Sequence, residues 1–411
     1  MTALGSTESA AQARGPGAKT LALLGITVAI GSYCVNAMDR TLFPLILPEV
    51  AREYALPLPE AGLMSTVFTI GMALAGLPTG YLMSRFSRKS VTQLGVFIFS
   101  AATIVTVFAA GFADMLVYRA LTGVGEAMQL TALLAIVSGY FARYPGVGVG
   151  WLNCCYGIGA VLGPLLGAAM LSAYGSWRAP MIGFGLIGFA IMALVALFVR
   201  RGLSEARTEA KGIATIGGAL TLWNRNTLLL VLLSAIAGLA IFGFLGMYPT
   251  YLRQELNFTP AAAGRIMSIY GLGVLVSVGG GFLGDRFAMR PLLVAMLLAG
   301  GATGWLLFNG PTDFAAQAAL SFAFGVVFSG AIYVNLAAYQ VKAVAAGLAG
   351  RASGIFVTSF YAAASVAGYT IGWLASHFGW TLAGDLQLAA TCVLGAVLAL
   401  GLKADLMARQ V

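Results

Sequence analysis

The sequence predicts an all-α membrane protein in which twelve transmembrane helices form two six-helix repeats. The chain has 411 residues, of which 60% are hydrophobic and only 9% are charged, whereas soluble proteins carry roughly 25% charged residues. Twelve runs of the sequence are apolar over the ~20 residues that a helix needs to span a bilayer. A loop sequence that begins at Gly80 recurs in similar form at Gly281, 201 positions later, which indicates an internal repeat.

The apolar runs divide the chain into two halves on either side of a polar linker. In the first half the expected spans are 21–49, 58–82, 91–111, 115–141, 146–173 and 179–199. In the second half they are 226–251, 260–284, 291–309, 315–342, 349–376 and 381–402. The expected organisation is an N-terminal tail (1–20), an N-terminal six-helix bundle (21–199), a linker (200–225), a C-terminal six-helix bundle (226–402) and a C-terminal tail (403–411).

The distribution of basic residues predicts the orientation in the membrane. The chain has 23 lysines and arginines and a net charge of +9. Seventeen of these residues fall in the tails, the linker and alternate short loops, whereas the opposite face has only Arg52, Arg178, Arg253 and Arg265. By the positive-inside rule both termini are then cytoplasmic, and we expect a multi-pass protein of a bacterial inner (plasma) membrane. The same asymmetry explains the positive charge without a nucleic-acid partner.

The sequence assembles no metal site and no catalytic group. The single histidine, His377, has no partner at metal-ligand spacing. All four cysteines lie inside apolar runs and are expected to be core residues. Neither H-E-x-x-H nor G-x-S-x-G occurs in the chain. We therefore expect neither an enzyme nor a cofactor.

The repeated loop carries a family resemblance. Its first copy, Gly80-x-Leu-x-Ser-Arg85-x-Ser-Arg88-Lys, resembles the signature that the major facilitator superfamily has between its second and third helices. Ser84 replaces the usual aspartate, although the second copy keeps the acid as Asp285, followed by Arg286. The resemblance implies the fold of a secondary transporter. It also implies that Gly80, Arg85, Arg88, Asp285 and Arg286 belong to loops that control the change between conformations.

Further motifs narrow the resemblance to one branch of that superfamily. The stretch from Arg119 to Glu126 resembles the pattern of the fourth helix, and the stretch from Gly159 to Gly167 resembles the glycine-proline bend of the fifth. Asn36-Ala-Met-Asp-Arg40, together with Arg119 and Glu126, resembles the anion:cation symporter branch. In that branch the arginine of the first helix holds the substrate carboxylate, and the acids carry protons. Two departures are Ala37, in place of a tyrosine, and Gly157, in place of a glutamine.

Charge and depth lead to the same residues without the resemblance. A charged group at the centre of a bilayer costs from ~2.5 kcal/mol upwards, so it persists only if it is paired or wetted. If the first span ends near Val50, a rise of ~1.5 Å per residue puts Asp39 and Arg40 ~15 Å below that surface. Glu126 then lies ~18 Å below it in the fourth span. Arg119 lies nearly two turns above Glu126, within reach of either acid.

Two interpretations of this cluster remain open. The four charges could simply neutralise one another and hold the first span against the fourth. Alternatively, they could bind a substrate and protons. The second interpretation is favoured because the positions 201 residues later are uncharged, so the matching scaffold closes without ion pairs. Those positions are Ala240, Ile241, Leu320 and Val327.

These observations predict proton-coupled symport of a small organic anion, a carboxylate or sugar acid, by alternating access. The expected substrate-binding residues are Arg40, Tyr156, Tyr270 and Tyr361, the tyrosines being chosen by depth alone. Asp39, Glu126 and Arg119 are expected to couple protons. The expected partners are the anion, protons and the lipid bilayer, and the expected state is a monomer. An alternative is a proton-driven efflux antiporter for drugs or lipophilic cations, which Arg40 disfavours because it would repel a cation. A channel is disfavoured because no filter motif is present.

Overall fold

The computed structural model describes residues 16–140, 145–204, 215–345 and 348–410. Residues 1–15 of the expected N-terminal tail, residues 205–214 of the expected linker and Val411 of the expected C-terminal tail lie outside the described residues.

Long helices account for nearly all of the described chain. The helices of the first half are α1 (Pro16–Glu53), α2 (Leu58–Thr66), α3 (Phe68–Arg85), α4 (Arg88–Val105), α5 (Phe112–Tyr140), α6 (Pro145–Tyr174), α7 (Arg178–Phe198) and the short α8 (Arg201–Ser204). The helices of the second half are α9 (Arg225–Gln254), α10 (Pro260–Val274), α11 (Ser277–Arg286), α12 (Met289–Asn309), α13 (Phe314–Phe324), α14 (Tyr333–Lys342), α15 (Ala349–Gly384) and α16 (Thr391–Leu400). Wider π-helical turns join α13 to α14 at Gly325–Ile332 and α15 to α16 at Asp385–Ala390. Two short strands, β1 (Thr215–Ile216) in the linker and β2 (Arg409–Gln410) in the C-terminal tail, pair in antiparallel fashion.

Several helices begin where a polar side chain caps the free backbone N–H groups of the first turn. Ser87 accepts a hydrogen bond from the N–H of Ser90 at the start of α4, and Asn224 accepts one from Thr227 at the start of α9. Asp313 caps α13 in the same way. Such caps replace hydrogen bonds that the first turn cannot make within the helix. They place the helix ends at the polar segments that interrupt the apolar runs.

The helices cross the membrane twelve times. The described residues contain eleven stretches long and apolar enough to span a bilayer, and the last, Arg351–Leu400, has 50 residues. A straight helix of that length would extend ~75 Å, more than twice the ~30 Å of the hydrocarbon core. The stretch instead turns at Gly379, whose φ of 83° suits glycine, so it provides two spans. The expected fold class of twelve spans is confirmed.

The two halves of the chain pack against each other on one side of the molecule. We call the side where α1 ends the Glu53 face, and the side where α3 ends and α4 begins the linker face. On the Glu53 side Thr66 Oγ1 donates to the carbonyl oxygen of Ser365 at 3.0 Å. Arg253 Nη1 also donates to Glu49 Oε2 at 2.6 Å, which is an ion pair between the halves. These contacts close the Glu53 side of the space between the halves.

Glycines permit the closest of these contacts. A Cβ added at Gly62 would lie 1.9 Å from the carbonyl oxygen of Gly368, and one added at Gly368 would lie 2.0 Å from that of Gly62. Small residues allow membrane helices to approach this closely. By contrast, a Cβ at Gly76, in the same second span but nearer the linker face, would meet no atom within 4 Å. The second span is therefore tightly packed at Gly62, near the Glu53 face, and has free space at Gly76.

We expect Gly62→Ala to destabilise the protein, because its methyl group would force α2 away from α15. Overpacking of this kind costs about 1–3 kcal/mol, and thermal denaturation of the purified protein in detergent measures the loss. Gly76→Ala is the matched control, with the same change in the same span, and should denature at the wild-type temperature. A wild-type denaturation temperature for Gly62→Ala would contradict the packing described here.

Candidate functional site

Four charged side chains are buried together in the first half of the chain. Asp39 and Arg40 lie on α1, Arg119 and Glu126 lie on α5, and none is more than 7% exposed. Arg40 Nε donates to Glu126 Oε2 at 2.8 Å. Arg119 Nη1 lies 3.6 Å from Asp39 Oδ2. The cluster is thus two crossed ion pairs between α1 and α5.

The crossing follows from helix geometry. Neighbouring residues of an α-helix point about 100° apart, so Asp39 and Arg40 leave α1 in different directions. Asp39 also accepts a hydrogen bond from Thr103 Oγ1 of α4 at 2.8 Å. Asp39 therefore lies between α4 and α5, while Arg40 faces Glu126 and the space between the two halves.

A second, uncharged network joins the same two helices. Asn36 Nδ2 donates to Gln129 Oε1 at 2.9 Å and to the backbone oxygen of Glu126 at 3.2 Å. Gln129 Nε2 donates in turn to Ser32 Oγ at 3.0 Å. Hydrogen bonds of this kind hold membrane helices together. Contact between α1 and α5 therefore does not depend on the charges alone, which weakens the purely structural interpretation of the cluster.

The ionic groups keep unused hydrogen-bonding capacity. Arg40 Nη2, Asp39 Oδ2 and Glu126 Oε1 are buried without a hydrogen-bond partner. The carboxyl groups of Asp39 and Glu126 belong to the same buried cluster, and two carboxylates can share a hydrogen bond only when one of them is protonated. The cluster can thus take up one proton, held between Asp39 and Glu126. Arg40 can donate one further hydrogen bond through Nη2.

Arg119 is held mainly by aromatic rings. Its guanidinium carbon lies 4.5 Å from the ring centre of Phe43 and 5.6 Å from that of Phe68. All three of its guanidinium nitrogens lack a hydrogen bond. Cation–π contacts partly replace the lost hydration. Arg119 therefore provides a fixed positive charge behind Asp39, away from the open space.

A cavity lies beside Arg40, between the two halves. Of the lining residues that the structure describes, Arg40 is the only charged one, because Asp39, Arg119 and Glu126 lie behind it in α1 and α5. The three tyrosines that depth suggested, Tyr156, Tyr270 and Tyr361, all line the cavity. The structure thus brings the four expected substrate-binding residues together in one space.

Sequence reasoning missed other lining residues, among them Tyr33 and Tyr333. Tyr33 precedes Arg40 by seven residues, which is two turns on the same helix face, so this spacing could have identified it. Tyr333 begins α14 after the π-helical turn, and nothing in the apolar sequence around it indicates that it faces inward. Polar lining residues that were also missed are Asn153, Ser277 and Ser329.

The cavity extends towards the linker face. Asn153, Ser277 and Val334 line it on that side of Tyr156, Tyr270 and Tyr333 in their respective spans. On the Glu53 side the contacts between α2 and α15 and the Glu49–Arg253 pair close the space. The described conformation is therefore closed at the Glu53 face and reaches towards the linker face.

The residues of the repeated loops lie at the linker face, away from the cavity. Arg88 Nη1 donates to the carbonyl oxygens of Ala135 at 3.0 Å and Ser204 at 3.3 Å, which ties α4 to α5 and α8. Asp285 accepts from Lys342 Nζ at 3.0 Å. Arg85 stacks over Tyr81 and Arg286 over Phe282, while Gly80 has open space around it. The loop residues contact helix ends, and each half keeps its own set.

Metal-binding side chains are scattered in the part of the chain that the structure describes. No group of three His, Cys, Asp or Glu residues there could hold a metal ion. His377 contacts the backbone oxygen of Trp373 at 2.9 Å and Ser376 Oγ at 3.0 Å. Both contacts are made by Nδ1 of the His377 ring, with residues of the same helix.

Comparison with protein families identifies one match. The sequence profile of the Major Facilitator Superfamily matches residues 29–369 and, a second time, residues 230–406. The chain also resembles a solved structure of a bacterial homolog of the human lysosomal transporter Spinster in an inward-facing and occupied conformation. The TM-score is 0.71 at 16% identity, over 94% of this chain and 95% of that one. This likeness concerns the fold.

Curated relatives are similar over variable lengths. Protein spinster homolog 1 of Xenopus laevis is 29% identical over 43% of this chain and 34% of its own length. The hexuronate transporter of Bacillus subtilis is 26% identical over 61% of each chain. A protein of Cupriavidus necator named "Probable sulfoacetate transporter SauU" is 25% identical over 84% of this chain and 86% of its own length. The chain thus spans less than two thirds of the first two relatives.

Proposed function

Because this chain belongs to the major facilitator superfamily, and is thus a membrane transporter rather than an enzyme, we propose that it carries a small organic anion together with protons. The anion is a carboxylate or a sugar acid, and the cycle is alternating access between the two halves. In this proposal Arg40 binds the anion, Asp39 and Glu126 accept protons, and Arg119 holds Asp39 in place.

The observation that carries the proposal is the position of Arg40. Within the described part of the chain it is the only charged group on a cavity otherwise lined by aromatic, apolar and neutral polar residues, and its Nη2 has no hydrogen-bond partner. A guanidinium is suited to a carboxylate because its planar N–H groups match the two carboxylate oxygens. A buried free N–H of a cation costs free energy until an acceptor arrives. An anion in the cavity would supply that acceptor.

The ion pair behind Arg40 supports coupling to protons. In the described structure Arg40 neutralises Glu126 across 2.8 Å. An anion that draws the guanidinium into the cavity would leave Glu126 as a buried, unpaired charge, which is strongly unfavourable. A proton shared between Glu126 and Asp39 removes that charge and adds the missing hydrogen bond. Binding of the anion and of the proton would thus favour each other.

Relatives with anionic substrates support the substrate class. By their names, the Bacillus subtilis relative carries hexuronates and the Cupriavidus necator relative carries sulfoacetate. A hexuronate carries one carboxylate, and sulfoacetate carries a carboxylate and a sulfonate, each on a small body. An arginine in the cavity is the feature of this chain that would suit such a group.

Alternating access is supported by the one-sided closure. The contacts at the Glu53 face, including Glu49–Arg253, would open as one half rocks against the other. The bundles 21–199 and 226–402 would move as units, joined by the linker 200–225, and the repeated loops at Gly80–Lys89 and Gly281–Arg290 would guide them. The positive-inside rule favours a cytoplasmic linker face, so the described state would be inward-facing. The proposed transporter is a monomer in a bacterial inner membrane.

Efflux of lipophilic cations remains a second candidate because of the aromatic lining. Rings such as Tyr33, Tyr333 and Phe360 could hold a cation by cation–π contacts. Arg40 opposes this, since a cation in the cavity would meet a positive charge that lies 5.9 Å from the ring centre of Tyr33. Anion transport therefore agrees better with the electrostatics.

Uptake by purified protein in liposomes tests the proposal. We expect labelled galacturonate, sulfoacetate or phenylacetate to enter faster when the outside is more acidic than the inside, and a protonophore to abolish the difference. Protein-free liposomes control for leakage of neutral acids. Acceleration of none of these anions, together with proton-driven extrusion of tetraphenylphosphonium, would establish the cation antiporter instead.

A further inference from the structure

The walls of the cavity contain far more aromatic surface than anion binding alone requires. Seven of its fifteen lining residues are phenylalanine or tyrosine. Four of them form one continuous group on the second half of the chain, in which Phe360 lies 5.0 Å from Tyr333, 5.2 Å from Tyr361 and 5.9 Å from Phe242, between ring centres. Such separations are typical of favourable edge-to-face and tilted pairs. We call these four residues, Phe242, Tyr333, Phe360 and Tyr361, the aromatic wall.

The charge in the cavity limits the ligand to one anionic group. Among the described residues that line it Arg40 alone is charged, and those of the second half are all neutral. The rest of a ligand bound at Arg40 would meet the aromatic wall and the aliphatic side chains of Ile241, Leu245 and Val274. A second anionic group would be buried there without a partner, which is unfavourable.

The hydrogen-bonding side chains that the second half adds to the described lining are all hydroxyl groups, those of Tyr270, Ser277, Ser329, Tyr333 and Tyr361. Tyr270 Oη and Ser329 Oγ already bond to each other at 2.7 Å, which reduces what they can offer. Phe242, Phe360 and the aliphatic residues offer nothing. A ligand with many hydroxyl groups would turn some of them towards Phe242, Phe360 and the aliphatic residues, and each one left unpaired there would reduce affinity. A flat apolar body would instead stack against rings at full contact.

We propose, building on the proposed function, that the transported anion is a small monocarboxylate with an aromatic or similarly flat apolar body rather than a sugar acid. Its carboxylate binds Arg40, and its ring lies against the aromatic wall. The first half of the chain thus recognises the charge, and the second half selects the body.

Calorimetric titration of the purified protein in detergent tests this selectivity. The probes are benzoate and phenylacetate as aromatic acids, galacturonate and gluconate as sugar acids, and benzylamine as a cation of similar shape. We expect the aromatic acids to bind with Kd values at least about tenfold lower than those of the sugar acids. Benzylamine should not bind.

A pair of variants tests the aromatic wall directly. Phe360→Leu keeps the apolar volume but removes the ring, and it should weaken phenylacetate binding about threefold to tenfold, the range that a lost aromatic pair implies. Phe356→Leu is the matched control, because Phe356 stacks on Phe360 one turn away but does not line the cavity. It should bind phenylacetate as the wild type does. If Phe360→Leu does not fold, Phe242→Leu provides the same measurement.

The outcomes separate this inference from the proposed function. Tighter binding of galacturonate or gluconate than of the aromatic acids would overturn the inference and leave anion transport intact, as would equal phenylacetate affinity in the Phe360→Leu and Phe356→Leu variants. Binding of benzylamine but of no anion would overturn the proposed function, and this inference with it.

Discussion

Replacement of Arg40 and Glu126 together by glutamine should weaken anion binding roughly 30-fold or more, since truncating a buried charged hydrogen-bond partner costs about 2–5 kcal/mol. Arg40 is the only cation among the described residues that line the cavity, so none of those other side chains can take its role. The double variant is used because Arg40→Gln alone leaves Glu126 buried and unpaired, which costs about 3–5 kcal/mol of stability. The neutral pair of glutamines avoids that charge.

Calorimetric titration with phenylacetate and galacturonate measures this effect. Arg265→Gln is the control, because it makes the same arginine change at an exposed position near Phe314. The control should bind each anion as the wild type does. Unchanged affinity in the double variant would show that the anion binds elsewhere, and the proposed role of Arg40 would be wrong.

Glu126→Gln should abolish the acceleration of uptake by a pH gradient while leaving exchange of internal for external anion intact. A glutamine has nearly the same shape, and its amide oxygen can still accept the hydrogen bond from Arg40 Nε. It cannot take up a proton, so the anion would move without coupling. Uptake rates in liposomes with and without an acidic exterior, beside rates of exchange, measure the separation.

The matched control for this prediction is Glu255→Gln, the same change at an exposed position after α9. Its uptake should respond to the gradient as in the wild type. If Glu126→Gln keeps the full gradient response while Asp39→Asn loses it, Asp39 alone is the proton acceptor. A full response in both variants would exclude proton coupling through this cluster.

The site shows which inferences from the sequence extend to three dimensions. The depth of a residue in the membrane can be predicted from the sequence, because a helix rises by a constant ~1.5 Å per residue. Depth indicated Tyr156, Tyr270 and Tyr361, which all line the cavity. Which acid pairs with which arginine could not be predicted from the sequence. Arg119 was within reach of either acid, and only the packing of α1 against α4 and α5 directs Asp39 to Arg119 and Arg40 to Glu126.

The aromatic wall shows the limit more clearly. A helix of a soluble protein reveals its inner face because apolar residues lie on one side and polar residues on the other. Membrane helices are apolar on all sides. Phe360 and Phe356 are therefore indistinguishable in the sequence, although only Phe360 lines the cavity. The space around Gly157 is a similar case. A Cβ added at Gly157 would lie 2.4 Å from the side chain of Leu275. An apolar residue of the other half therefore occupies the space that a longer side chain at position 157 would need.

The sequence by itself determined that this protein spans the membrane about twelve times, belongs with the major facilitators by its motifs, and buries four charges in its first half. These follow from composition, from the constant rise of a helix and from the cost of charge in lipid, all of which are local. The tertiary structure alone decided which charges pair, which side of the molecule is closed and which rings surround Arg40. These depend on the rotation of each helix about its axis, and contacts such as that between Gly62 and Gly368, far apart in the chain, set that rotation.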